Sequence, residues 1–317
     1  MTPLLCLVGP TAAGKSQVAL LVAPALNAEI VSADSMQIYR GMDIGTAKPT
    51  PEERARVPHH LIDLIEADRP YSVAEYQAEA ERVIAETHTR GHLAMLVGGS
   101  GLYVRAVVDG LDFPIAGPDW QLREALAAEA DRIGLEQLHQ RLAEVDPAAA
   151  QRIQPRDQKR IIRALEVFYQ TGRPITEFHQ LDQARAPRYN ALILGLTMPR
   201  PQLYRRIEER VDRMMAQGLL EEVAGLLARG YHEGLTSMKA LGYQHLALHL
   251  RGEYDLPTAV ELFKRDTRRF AKRQLTWFGR DPRVQWIEVQ EDRMEQAAAQ
   301  VIERAGDHFG LDKEHRV

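Results

Sequence analysis

Apolar residues fall along this chain in two rhythms. Over about the first hundred positions, short apolar runs alternate with stretches of helical period. Leu4–Val8 is an unbroken apolar run, Lys15–Leu26 reads as a helix, and Glu29–Ala33 is a short strand ending at Asp34. A helix follows over about Val73–Arg90. Leu93–Val97 is then fully apolar and runs into Gly98, Gly99 and Gly101. Apolar strands separated by helices imply a parallel sheet covered by helices on both faces. Ligands of such sheets lie beyond the carboxyl ends of the strands, the edge where Asp34 and the Gly98–Gly101 turn stand.

From about Phe113 to Pro187 the rhythm becomes helical without strands. Asp146-Pro147 is a cap followed by proline at a first helical position, and Asp157 starts a helix ending near Gly172. Within it Ile161, Ile162, Leu165, Phe168 and Tyr169 predict one apolar face, with Lys159, Arg160 and Arg163 largely outside it. Strand character returns at Ala191–Leu196, so residues 1–112 and 188–317 are expected to form one α/β core and 113–187 a helical insertion domain docked on it. The remainder is helical from about Arg200 to Arg280, broken by glycines at 218, 230, 234 and 242. Phe263, Thr267, Phe270, Gln274 and Phe278 mark one stripe of a long helix, Val284–Val289 a late strand, and residues after about Asp307 a mobile tail.

The chemistry starts at the end of the first strand. Gly9, Pro10, Thr11, Ala12, Ala13, Gly14, Lys15 and Ser16 complete a G-x-x-x-x-G-K-[ST] phosphate-binding loop in the strand-to-helix context that the motif requires. Gly9 and Gly14 permit a tight turn, the loop amides form an anion nest, and the helix N-terminus adds partial positive charge. Lys15 supplies a full charge, and the Ser16 hydroxyl can hold Mg2+. The fold class is thus α/β, a P-loop NTPase-like parallel sheet core with a helical insertion, and the ligand a di- or triphosphate. Asp34 can support a metal, act as a general base or cap a turn, and its position alone does not separate these. Arg206 and Arg210, spaced i, i+4 in the stretch that also holds Arg205, suit phosphate oxygens. Gly41–Pro49 is polar, glycine-rich and long enough for a loop over the site, whereas His59-His60 lack a third ligand and are expected to pack or hydrogen-bond.

Composition narrows the picture. The chain of 317 residues is 45% hydrophobic and 26% charged, ordinary for a soluble globular protein. No apolar stretch is long enough to span a membrane, and no basic or signal-type segment opens the chain, so a cytoplasmic location is expected. The one cysteine, Cys6, alternates with apolar neighbours and is expected in the core. Net charge is −4, so a nucleic-acid partner needs local basic clusters. Two exist: six basic against two acidic residues from Arg152 to Arg173, and eight against two from Lys264 to Arg283.

Read in order, these segments resemble the bacterial tRNA dimethylallyltransferases, also called tRNA isopentenyltransferases. The likeness runs through residues 9–16, Ser32–Arg40, Gly41–Pro49, Pro58–Asp63, Leu96–Tyr103, Val145–Pro147, Arg163–Val167, Gly242-Tyr243, Ala271–Gln274 and Thr276-Trp277. Position 100 usually holds threonine in that family. Ser100 keeps the hydroxyl and loses the methyl. No zinc-finger extension of the kind seen in some eukaryotic relatives is expected.

The resemblance implies transfer of a dimethylallyl group from dimethylallyl diphosphate to the exocyclic amine of an adenine beside the anticodon of tRNA. The loop then holds the prenyl donor's diphosphate with Arg206, Arg210 and Mg2+ on Ser16. Asp34 orients the amine and takes its proton, and Ser100 contacts the target nucleotide, with Lys15 and Ser16 completing the catalytic set. Asp34, Ser35, Met36, Gln37, Ser100, Arg123, Lys159, Arg160, Arg163, Lys272 and Arg273 are the residues expected to meet the anticodon stem-loop, in a monomer. A small-molecule kinase, a prenyltransferase acting on free AMP and a non-catalytic RNA-binding module are the competing readings. A kinase leaves the basic insertion unexplained, a prenyltransferase of free AMP needs no anticodon clamp, and an RNA-binding module that binds nucleotide without catalysis stays open.

Overall fold

A computed structural model describes residues 1–113, 118–184 and 186–311, with side chains described for all of these except 182–184. Six parallel strands form one sheet in the order β3-β2-β4-β1-β5-β6. They are β1 (Thr2–Val8), β2 (Ala28–Ala33), β3 (His59–His60), β4 (Leu93–Gly98), β5 (Tyr189–Thr197) and β6 (Val284–Glu288). This is the expected P-loop-type α/β sheet. Buried on both faces, β1 and β4 need no polar alternation, which is why they read as continuous apolar runs. Cys6 is buried in β1, and burial pushes its thiol up to about 12, so it belongs to the core as expected.

Strand ends place the loops. Val8 is paired with Gly98 of β4 and Gly195 of β5, and Ala33 of β2 is also paired with Gly98. The segments that follow β1, β2 and β4 therefore leave the sheet at one edge. The first feeds α1 (Lys15–Ala25), whose buried Val18, Ala19, Leu20, Val22 and Ala23 pack in one core with α14 (Met294–Phe309). The sequence pattern assigns nothing to that last helix. Its core positions are largely alanine (Ala297, Ala298, Ala305), too small to stand out as an apolar stripe. It also corrects the expected tail after Asp307, because helix continues to Phe309 and ends on Gly310 at φ 66°. The rest of that expected tail, 312–317, lies outside the described residues, as do 114–117 and 185 of the expected insertion.

Between β2 and β3 lies α2 (Pro51–Arg56), opened by a capping box in which Thr50 and Glu53 satisfy each other's backbone N–H. After β5 come α10 (Arg200–Ala216), α11 (Leu219–Ala228), α12 (Tyr243–Leu250) and α13 (Leu256–Phe278). The buried stripe of α13 is Ala259, Phe263, Thr267, Ala271, Gln274 and Phe278. Phe270, expected on it, is only half-buried and faces a cavity instead.

The chain divides into two compact units, one of residues 1–71, 77–105 and 189–317, the other of 72–76 and 106–188. The second is helical, with α5 (Trp120–Ile133), α6 (Leu135–Val145), α7 (Pro147–Arg152), α8 (Gln158–Thr171) and α9 (Ile175–Ala184). Helices α3 (Val73–Thr89) and α4 (Gly101–Asp109) have residues in both units. Asp146 caps α7 through the N–H of Ala149 and also accepts from Thr176, tying α7 to α9. On α8 the buried face is Ile161, Ile162, Ala164, Leu165 and Val167. Tyr169, expected there, is exposed.

Candidate active site

At the carboxyl edge of the sheet lies a cavity of about 960 Å³, lined by Thr11, Ala12, Gly14, Lys15 and Ser16 of the loop together with Asp34, Gln37, Arg206 and Arg210. Gly9 and Pro10 sit at the base of the loop. Gly9 has φ 137°, and a Cβ there would run into the Leu196 carbonyl of the neighbouring strand. Ala13 closes the turn, donating its N–H to Pro10 O at 3.3 Å. The Lys15 ammonium donates to Gly9 O at 2.9 Å and Pro10 O at 2.7 Å. Burial and the nearby Arg210 push Lys15 down to about 7, with Asp34 opposing them. The exposed Ser16 hydroxyl stands at the first turn of α1.

The two arginines from α10 differ. Arg206 is spent on the loop: its Nε donates to Ala12 O at 2.9 Å, and its other nitrogens reach Glu291 and Gln17. Arg210 lines the cavity with its charge disfavoured by burial and partly restored by Asp34. Arg205 turns away to Glu291 and Glu209.

On the opposite wall, Asp34 accepts the Met36 N–H at 2.9 Å on one carboxylate oxygen, which fixes the side chain where β2 ends. Ser100 accepts the Ser35 N–H at 3.0 Å and donates to the Ser35 hydroxyl at 3.2 Å. Gln37 accepts from Ser32 and donates to Thr46 O and Ala47 O, fastening the Gly41–Pro49 loop to β2. That loop is further held by Glu222 of α11, whose carboxylate accepts three successive N–H groups from Asp43, Ile44 and Gly45 and the Tyr243 hydroxyl. Lys48 is buried there with Tyr39 O, Asp43 and Asp63 each at 2.6 Å. His59 and His60 hydrogen-bond to Val57 O and Glu29, the packing-and-bonding role expected of them.

One residue here escaped the sequence reading. Gln274 of α13 accepts the Thr11 N–H at 2.8 Å and donates to Gly99 O at 3.0 Å, buried between the phosphate loop and the turn after β4. A long amide in a buried stripe otherwise made of Phe, Ala and Thr is the available signal, since buried amides are hydrogen-bonded.

The residues expected to meet RNA are distributed. Asp34 and Gln37 line the cavity, and Ser35 and Ser100 are hydrogen-bonded beside it. Met36 is half-buried against the core formed by the loop and α11–α13. Lys272 and Arg273 are exposed on α13, and Lys159 and Arg160 are exposed on α8 of the second unit. Arg123 and Arg163 are different. Both grip the fully buried Glu166, Arg123 through two nitrogens at 2.9 Å and Arg163 at 2.6 Å. Burial pushes the Glu166 carboxyl up, but the two guanidiniums and the Asp119 N–H outweigh it and hold it below the usual range.

A phosphate loop on a central parallel strand, sharing one cavity with a carboxylate and an arginine, is the arrangement of a P-loop enzyme. The chain belongs to the IPP transferase family, whose family model matches residues 37–281. It is 52% identical over 302 residues to a tRNA dimethylallyltransferase of Pelotomaculum thermopropionicum, covering 95% of this chain and 96% of that one. It is also similar to the crystal structure of a full-length tRNA isopentenylpyrophosphate transferase from Bacillus halodurans. That match has 40% identity and a TM-score of 0.72, over 98% of this chain and 99% of that one. A eukaryotic dimethylallyltransferase, at 24% identity and TM-score 0.83, shares the fold over 96% of this chain and 78% of its own.

Proposed function

We propose that this protein transfers a dimethylallyl group from dimethylallyl diphosphate to the N6 amine of the adenosine adjacent to the anticodon of tRNA, releasing diphosphate. One observation carries the reading. The phosphate loop and Asp34 share a single cavity in a chain 52% identical to a tRNA dimethylallyltransferase.

The chemistry suits the geometry. As the allylic carbon–oxygen bond breaks, the leaving diphosphate takes the electron pair and gains negative charge. The loop amides, Lys15 and Arg210 supply donors and positive charge there, while Arg206 holds the loop through Ala12 O. The Ser16 hydroxyl lines the same cavity and offers Mg2+ one oxygen, which suits an ion that keeps water and substrate phosphate as its other ligands. Bound there, the ion would neutralise part of the leaving group's charge. The adenine amine is a poor nucleophile, so alignment and proton removal matter. Asp34, held by Met36, takes that proton as the new carbon–nitrogen bond forms. An adenine in a stacked loop must flip out to reach the cavity. Lys272 and Arg273 on α13 and, in the second unit, Lys159 and Arg160 on α8 are exposed cations of the kind that contact tRNA phosphates.

We take the enzyme to act as a cytoplasmic monomer. No helix among the described residues is long and apolar enough to cross a membrane. The test is incubation with labelled dimethylallyl diphosphate and, separately, unmodified tRNA, free AMP, and small acceptors supplied with ATP. Label on tRNA alone is expected. Label on AMP but not tRNA, or phosphate transfer from ATP, would overturn the reading.

A further inference from the structure

We infer that Gln274 is a positioning residue, one that fixes the distance between the donor's leaving group and the acceptor's amine. The inference rests on the proposed prenyl transfer and deepens it.

The two substrates meet loops that follow different strands. The donor loop leaves β1, and the turn carrying Gly99 and Ser100 leaves β4, with the strand pairing of the two ending at Val8 and Gly98. Beyond that pair no sheet hydrogen bond sets their separation. Gln274 does so from a third element. Its Oε1 accepts the Thr11 N–H at 2.8 Å, and its Nε2 donates to Gly99 O at 3.0 Å. Both partners are backbone groups of fixed polarity, so only one orientation of the amide satisfies them. The side chain is 6% exposed, and a Cβ at Gly99 would collide with Nε2. Gln274 is thus a spacer cut to this gap.

Displacement at carbon demands such a spacer. Reacting atoms must lie about 3–3.5 Å apart and aligned, and a misplacement of about 1 Å costs on the order of 10²-fold in rate. Gln274 touches neither reacting atom in this scheme. It acts through Thr11 on the diphosphate side and through Gly99, next to Ser100, on the adenine side.

Two variants test it in the whole 317-residue chain, with steady-state transfer to unmodified tRNA and donor binding measured separately. Gln274→Met fills the same space and makes neither hydrogen bond. Gln274→Glu keeps the Thr11 acceptor but sets an oxygen against the Gly99 carbonyl. For both, kcat is expected to fall on the order of 10²-fold while the tRNA KM stays near wild type, and for Gln274→Met the donor Kd stays near wild type too. Thermal melting of each variant identifies which are folded. Wild-type kcat in either folded variant overturns the inference, as does a rise in donor Kd or tRNA KM at unchanged kcat, which marks a binding residue. If the wild type itself moves no label to tRNA, the proposed function is what has failed. The two failures are therefore distinct.

Discussion

Lys15 gives donor binding a pH signature. Burial and Arg210 push its ammonium down to about 7 in the protein alone. A diphosphate seated on the loop brings negative charge beside the same group, raises it again, and so takes up a proton on binding. The sign follows directly. Below about pH 7 the amine is already charged and contributes its full attraction, whereas above that each binding event must first protonate it. From pH 8 to pH 9 the charged fraction falls about ninefold, a loss of about 1.3 kcal/mol in donor affinity. The donor's phosphates are already ionised over that interval and do not mask the effect. Calorimetric titration with dimethylallyl diphosphate in two buffers of different ionisation enthalpy reports both quantities. Kd should weaken about ninefold between pH 8 and pH 9, with close to one proton taken up per donor at pH 9. In Lys15→Arg the guanidinium does not titrate here, so the profile should flatten. A wild-type Kd that is the same at pH 8 and pH 9, with no proton uptake, would refute the argument.

Four further expectations follow from the structure. Asp34→Asn keeps an acceptor for Met36 and removes the base, so transfer should fall by about 10²–10⁴-fold with donor Kd nearly intact, and weakened donor binding with normal turnover at saturation would assign Asp34 to the metal instead. Arg160→Ala should lower the salt slope of tRNA binding by about one, and an unchanged slope places that side chain in solvent. Arg123→Ala and Arg163→Ala should instead lower the melting temperature through loss of their grip on buried Glu166, and a melting temperature equal to wild type for both would count against that distinction. Glu222→Ala strips one carboxylate from three backbone N–H groups and the Tyr243 hydroxyl, costing about 2 kcal/mol, and should speed amide exchange at residues 43–45; unaltered exchange there would show that the loop is held by other contacts.

What the sequence made legible follows from how local each signal is. The phosphate loop needs only eight consecutive residues and the strand before them, so it could be read outright. Strands β1, β4 and β5 were visible because burial on both faces removes polar alternation. Edge strand β3 has only two residues, His59 and His60, and exists through pairing with Ile30 and Val31, which no local pattern encodes. Helix α2, opened by the capping box of Thr50 and Glu53, has no buried residue and hence no apolar period, so the hydrophobic pattern gives no sign of it. On α8, Arg163 lies outside the apolar face and is expected at the RNA, because sequence periodicity cannot show that its partner Glu166 is buried. The same limit hid the partners of Gln274 and Glu222. Each acts on backbone groups far away in sequence, and backbone partners leave no mark in composition.

The central claim is that Gly9–Ser16 cradles a leaving diphosphate rather than a phosphate to be transferred. Mass spectrometry of nuclease-digested tRNA after incubation with dimethylallyl diphosphate tests it most directly. The account predicts an adenosine beside the anticodon heavier by one dimethylallyl group, with one diphosphate released per modification. Unmodified tRNA, or an acceptor carrying phosphate, would contradict it.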